Sequence, residues 1–362
     1  MKTLLLGDLS PTDVSSPLFV QNNKEALFGD ILPLFCGNDI NFVNLECALT
    51  EHDISIPKFG PPLKAPKEVA KVLSEIGVTV CGLSNNHIFD YGKKGALDTM
   101  AALDQAKLDY TGFGDNYEDS RKNYIFEKDG EKVAIIAVCE HEYSYALEDR
   151  MGSRPYDEYE TIEDIRSAKA ECDRVIVIYH GGKEQCRYPS PRLRRACHAM
   201  ARAGADVVLC QHSHCVGCYE EYSDCHILYG QGNFHFISPS FGNFEGWNDC
   251  LAVTYDTKSH KIDFIPLVAN EAGVELAKGE AKEEILDGFA KRNETLKNGQ
   301  WKDGWHAFCE SKIPTYTGVL KKACVHGNTQ QDDDLFGHFL DCEAHTDVWR
   351  ELFQTYNMTN EK

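Results

Sequence analysis

The chain has 362 residues, with 57 Asp and Glu against 37 Lys and Arg, a formal net charge of −20, and 42% hydrophobic residues. Such a length accommodates one large α/β domain with an appendage or two ordinary domains, and no window approaches the roughly 18 unbroken apolar residues of a membrane span. The charge and the lack of a Lys/Arg run interleaved with aromatics exclude nucleic acid as a main partner; a small phosphate compound stays open, because bound divalent cations would dominate the local charge.

Taken in chain order, the first apolar run, residues 3–6, precedes Gly7-Asp8 and is too short for a signal-peptide core. Further β-branched or apolar runs follow at 40–45, 78–83, 132–138, 174–179, 206–210 and 225–229. Helical spacing of apolar residues lies between them at 67–76, 94–107 and 191–203, the last closed by Gly204. This alternation predicts α/β layers. Residues 251–256 and 261–267 flank the turn-like 257–260 and predict an antiparallel hairpin, hence a mixed sheet. From about 275 the chain becomes helical and charge-rich, with helices expected over 278–296 and 335–357 joined by a polar stretch at 327–334. A boundary near Ala269 divides a domain at 1–268 from a helical extension at 269–362. The 15 cysteines are odd in number and scattered from Cys36 to Cys342, which predicts reduced thiols and a cytoplasmic location.

Metal-capable side chains stand where these runs end. Asp8 follows the first; Asn44 and Glu46 close the second; Asn85, Asn86 and His87 follow the third; His180 follows the fifth; His212 and His214 follow the sixth. The carboxyl edge of an open α/β sheet is where ligands bind. A single Asp or His there is ordinary turn or surface chemistry, but recurrence at successive strand ends predicts a metal site. His212-Ser213-His214 is read as an extended segment whose alternate residues point the same way. Mixed oxygen and imidazole donors suit Mn, Fe or Zn better than Ca.

The order and spacing of Gly7-Asp8, Asn44-Leu45-Glu46, Ser84-Asn85-Asn86-His87 with Asp90-Tyr91-Gly92, His180-Gly181-Gly182-Lys183-Glu184, Tyr188-Pro189-Ser190, Gln211-His212-Ser213-His214 and Gly232-Asn233-Phe234 resemble the CapA-type capsule or poly-γ-glutamate synthesis proteins. The resemblance covers residues 1 to about 268. It implies a calcineurin-like metallophosphatase fold, a four-layer α/β/β/α sandwich, here with a C-terminal helical extension. It further implies two divalent cations bridged by Glu46, with Asp8 and His214 completing one site and Asn86, His180 and His212 the other. His87 would act as general acid, and Glu184 would lie near His180 as a further catalytic candidate. The implied activity is metal-dependent hydrolysis of a phosphoester, on a small-molecule, polymer-derived or polyglutamate-related substrate; the alternative is a noncatalytic accessory role in polymer synthesis or export.

The chain departs from the calcineurin-like pattern at Ser10, where a His is usual, at Glu46, where Asp is commoner, at Gly181, where an aromatic is usual, and at Gln211. Cys215 and Cys218 have the spacing of a zinc knuckle but lack a second pair, leaving a structural zinc or buried thiols as readings. Gly112-Phe113-Gly114 lacks the third glycine of a dinucleotide loop. Trp301, Trp305 and Trp349 are expected to pack the extension against the main domain.

Overall fold

Leu4 and Leu6 point to one side of the first strand and Leu5 to the other, and all three are buried, so this strand carries core on both faces. The computed structural model, which describes residues 1–353 apart from 141, 239, 241–243 and 325–328, places it at the centre of an eight-stranded sheet. The order across that sheet is Val274–Leu276, Lys261–Ala269, Asp249–Asp256, Lys2–Leu9, Ile40–Leu45, Val80–Gly82 and Asp109–Thr111, with Asn233–His235 paired beside the end of Lys2–Leu9. A six-stranded sheet runs Tyr219–Tyr222, Cys225–Leu228, Val207–Gln211, Arg174–His180, Glu131–Cys139 and Tyr124–Lys128. The larger sheet is parallel from Lys2–Leu9 to Asp109–Thr111 and antiparallel from Lys2–Leu9 to Val274–Leu276; the smaller is parallel at its centre and antiparallel at both edges.

Three apolar clusters define four layers. Between the sheets, Leu5, Phe42 and Val80 of one meet Ile135, Ile176 and Leu209 of the other. Outside the larger sheet, Leu4, Leu6 and Val43 pack on Val69 and Leu73 of helix Glu68–Ile76 and Leu103 of helix Gly92–Ala106. Outside the smaller sheet, Ile136, Val177 and Val208 pack with Ile165 of helix Glu160–Glu171, Met200 of helix Pro191–Ala203, and Trp301, Trp305, Tyr316 and Phe339 from the C-terminal helices. Each fully buried aliphatic contributes about 1.5–3 kcal/mol. The arrangement is the α/β/β/α sandwich expected. Two buried glutamines stitch its middle: Gln211 Nε2 donates to Leu6 O (3.2 Å) and to Gln231 Oε1 (3.0 Å), and Gln231 Nε2 donates to Leu5 O (2.8 Å). That explains a polar residue at position 211, where it answers backbone acceptors of the facing sheet.

The C-terminal region differs in detail from the sequence reading. Four helices, Trp301–Ser311, Ile313–Ala323, Gln330–Asp341 and Glu343–Phe353, follow Gly279–Asn298. The helix expected over 335–357 is broken at Cys342, which has extended backbone (ψ 123°), and residues 330–334 are helical rather than loop. Residues 327, 328 and 354–357 of those expectations lie outside the described residues. The break lets the last two helices fold together around Tyr316: its hydroxyl is 2.7 Å from His345 Nδ1, and Trp349 Nε1 donates to Phe339 O at 2.8 Å. Trp301 and Trp305 are buried and Trp349 half-buried in the cluster beneath. No helix among the described residues is long and apolar enough to cross a membrane.

Candidate metal centre

Parallel strands in register bring their carboxyl ends to one edge. Asp8 pairs in register with Asn44 on one side and Asn233 on the other, and His180 pairs with Gln211, the residue before His212. Gly7 permits this: a Cβ there would sit 2.3 Å from Gly232 O. The ends of the two sheets thereby face each other across a short gap.

Asp8 is held by several neighbours, with His214 Nδ1 3.7 Å from its Oδ2. Asn44 Nδ2 donates to its Oδ1 at 2.7 Å, the His212 amide donates to its Oδ2 at 3.0 Å, and His180 Nδ1 lies 3.6 Å away. Burial pushes the Asp8 carboxyl up, but His180, His214 and Asn44 outweigh it and hold it below its ordinary value. His180 is wholly buried, with Nε2 2.9 Å from Asn86 Oδ1 and 3.2 Å from Glu46 Oε1. Burial alone would lower its pKa, yet the carboxylates of Glu46 and Asp8 raise it to about 9. Asn44 is itself positioned by Asn85, whose Nδ2 donates to its Oδ1 at 3.2 Å and to Leu45 O at 2.9 Å.

His212 and His214 come together, though not as an extended segment. Their φ angles are +79° and +53°, a left-handed conformation that costs a non-glycine residue on the order of 1–3 kcal/mol. Two reversals about Ser213, rather than alternation along a strand, aim both rings inward, with centroids 5.6 Å apart and His212 4.9 Å from His180. His214 Nδ1 lies 2.9 Å from Asn233 Oδ1, and Asn233 donates to Trp247 O, whose ring packs against His214 at 4.7 Å.

Glu46 tests whether cations fit. Its side chain is fully buried, and neither oxygen accepts a hydrogen bond among the described residues; His180 Nε2 approaches at 3.2 Å without hydrogen-bond alignment. A buried carboxylate left so is costly, and a bound cation is what would satisfy it. Glu46 also belongs to two groups of potential ligand atoms, one with His212 and His214 and the other with Asp8 and His180, each within 4.8 Å. The donors therefore fit the metals that the sequence suggested. Neither group contains cysteine; Cys215 and Cys218 are buried thiols whose pKa burial pushes up, that of Cys215 to about 11.

His87 stands beside this cluster. Its Nδ1 donates to Asp90 Oδ2 at 2.6 Å, and Lys58 Nζ donates to Asp90 Oδ1 at 2.6 Å. Asp90 is fully buried; His87 and Lys58 overcome that burial and keep its carboxyl below the ordinary range. With Nδ1 so engaged, Nε2 is the nitrogen left for the cavity that His87 lines. Glu184 lies farther out, with a side chain 43% exposed and Oε1 4.0 Å from His212 Nε2.

Gly181 has a structural cause. A Cβ there would lie 2.3 Å from Glu140 Cγ, because the buried Glu140 carboxylate occupies that space. Glu140 accepts from the Gly182 amide, from the Tyr179 hydroxyl, and from Arg192 Nη2 at 2.7 Å. Arg192 Nε also donates to both oxygens of Asp347 (3.0 and 2.9 Å), which accepts from Ser190 Oγ at 2.6 Å. The last helix is thus tied by a buried ion network to the turn behind His180. Above the centre lies a cavity of about 300 Å³, walled by His87, Lys183 and Trp247 from the sandwich and by Lys312, Tyr316 and Phe339 from the extension.

Residues 2–238 match the family described as "Bacterial capsule synthesis protein PGA_cap". The chain belongs to this family. Among relatives of this capsule synthesis family, "Capsule biosynthesis protein CapA" of Bacillus anthracis is 33% identical over 222 residues, covering 58% of this chain and 52% of that protein. "PGA biosynthesis protein CapA" of Bacillus subtilis is 28% identical over 277 residues, 74% of this chain and 71% of that one. The chain thus spans about half the length of the first of these. Among solved structures, a hypothetical protein from Thermus thermophilus aligns with a TM-score of 0.47 at 15% identity, over 74% of this chain and 99% of that one; likeness at that level transfers no activity. Every candidate ligand lies inside the family match, and the helices roofing the cavity lie beyond it. Sequence reasoning missed Lys58 and Arg192, which bear no strand-end signature, passed over Glu140 although it directly follows strand Glu131–Cys139, and gave Asp90 no role.

Proposed function

We propose that this capsule synthesis family member is a metal-dependent hydrolase acting on a phosphoester, with two divalent cations, Mn, Fe or Zn, held by Asp8, Glu46, Asn86, His180, His212 and His214. The observation that carries the reading is Glu46, a buried carboxylate without a hydrogen-bond donor that is shared by both ligand groups. Cations bound there would polarise the ester and lower the pKa of a bound water. The chain's own part is to orient and to move protons. Asn44 and the His212 amide fix Asp8; Asn233 and Trp247 fix His214. His87, its Nδ1 bound to Asp90, presents Nε2 to the leaving oxygen as general acid. Glu184, at the rim, is a secondary candidate for handling a proton near His212. The relatives' names support a substrate drawn from the chemistry of an anionic capsule polymer or its precursors.

The test is hydrolysis of aryl phosphomonoesters and phosphodiesters after loading with Mn, Fe or Zn. Turnover that requires added metal and is lost on His87→Ala with metal content unchanged is the expected result. Stoichiometric metal without turnover on any ester would favour the noncatalytic accessory role and point to Ser10, where the resemblance implies a ligand.

A further inference from the structure

The cavity above the centre is walled on one side by the C-terminal helices, outside the family match. Two lysines line it from opposite parts of the chain, Lys183 from the turn after His180 and Lys312 at the start of helix Ile313–Ala323. Lys183 is 11% exposed, and its only ion pair among the described residues is with Glu184, at 4.0 Å. Lys312 makes no ion pair with a carboxylate among the described residues, and its ammonium lies 4.9 Å from the Phe308 ring centroid. Burial, and then repulsion from Lys183, hold Lys312 below its ordinary pKa. Lys58, on the same cavity, is instead neutralised by Asp90 at 2.6 Å.

A chain of net charge −20 has ample carboxylates with which to pair lysines. Keeping two weakly paired ammonium groups close enough to repel, in a concave and partly apolar site, costs free energy that an anion would return. The wall is also held firmly: Asp347 is fixed by Arg192 and Ser190, and Tyr316 is buried against His345. Phe339 and Trp247 supply apolar surface in the same cavity. A site with candidate cation ligands at its floor and lysines on its wall suits a molecule charged at two places.

We propose that Lys183 and Lys312 form an anion subsite, built jointly by the sandwich and the C-terminal helices, that holds a second carboxylate or phosphate of the molecule whose ester lies at the metal centre. This rests on the reading of that centre given above. The C-terminal helices are then a specificity element: they select substrates by the charge at the end remote from the reacting group.

The experiment is calorimetric titration of the full chain, loaded with Mn, with phenylphosphonate, 4-carboxyphenylphosphonate and 1,4-phenylenediphosphonate, together with benzene-1,4-dicarboxylate on metal-free protein. The second anionic group is expected to tighten binding at least about tenfold, which is about 1.4 kcal/mol. Lys312→Ala and Lys183→Ala should each reduce that gain to about twofold or less, Lys312→Arg should keep most of it, and Lys321→Ala, an exposed lysine on the same helix, should leave it intact. A gain for only one of the two anions supports the subsite and names its ligand. Equal affinity for all three phosphonates, or a gain that survives both alanine changes, overturns it. If no phosphonate binds but the dicarboxylate binds in a Lys312-dependent way, the subsite stands and the phosphoester reading falls; if neither set depends on Lys312, the subsite falls.

Discussion

Two regions meet at the cavity, and they are built on different principles. The floor is made of strand ends: Asp8, Glu46, His180, His212 and His214 stand at or just after the carboxyl termini of parallel strands, where ladder register fixes their spacing. The wall is made of helices from 301 onward, whose contribution depends on how they dock. Register sets the floor; docking sets the wall, and the Arg192–Asp347 pair holds that docking in place. The residue that joins them is Glu140, which excludes any side chain at 181 and receives the Arg192 guanidinium that also binds Asp347. A departure from the family pattern in the floor is therefore the footprint of the wall's anchor.

The largest effect separating the two regions comes from Glu46. Glu46→Ala should abolish metal binding, and chelation should lower the Tm of the wild type but not that of the variant, because a ligand that binds only the folded state stabilises it; parallel melts with and without chelator check this. An equal chelator shift in both would place the metal elsewhere.

His87→Ala comes next. Loss of a general acid lowers turnover by about 10²–10⁴-fold, with metal content retained, and Asp90→Asn should act in the same direction through the orientation of His87. Rates unchanged in His87→Ala would remove it from the chemistry.

Arg192→Ala addresses the wall. Taking one partner from a buried ion pair costs about 3–5 kcal/mol, and here it strands Glu140 and Asp347 together. Hydrogen exchange should rise first in helices 301–353 while strands 174–180 and 207–211 stay protected. Uniform loss of protection would mean that the wall and floor are one cooperative unit.

The smallest effect concerns the scaffold beneath both. Burial would raise the Glu220 carboxyl, but hydrogen bonds from His198, Arg194 and Tyr229 lower it to about 2. The folded pKa is thus depressed below the ordinary 4.5, so this stabilisation is complete above pH about 4.5 and disappears as pH falls toward 2; it is on the order of 3 kcal/mol. Glu220→Gln should flatten the acid limb of a stability-pH curve over that interval, and an unchanged limb would count against the assignment.

The floor was legible because its chemistry and its secondary structure coincide: an apolar run followed by Asp, Glu, Asn or His announces a strand end with something to bind. The geometry of His212 and His214 was not, since nothing in their side chains declares positive φ. Nor was the anchor, because Glu140 meets Gly181 through pairing between separate strands. The break at Cys342 carries no glycine or proline, and the apolar spacing of Leu335, Phe339, Val348 and Leu352 reads as one helix until Tyr316 is seen packing between two.

The most direct test of the central claim is the metal content of the purified chain beside that of a His212→Ala, His214→Ala double variant, measured by elemental analysis after equal exposure to Mn, Fe and Zn. The account predicts about two equivalents in the wild type and loss of metal in the variant with the fold intact by circular dichroism; equal metal content in the two proteins would contradict it.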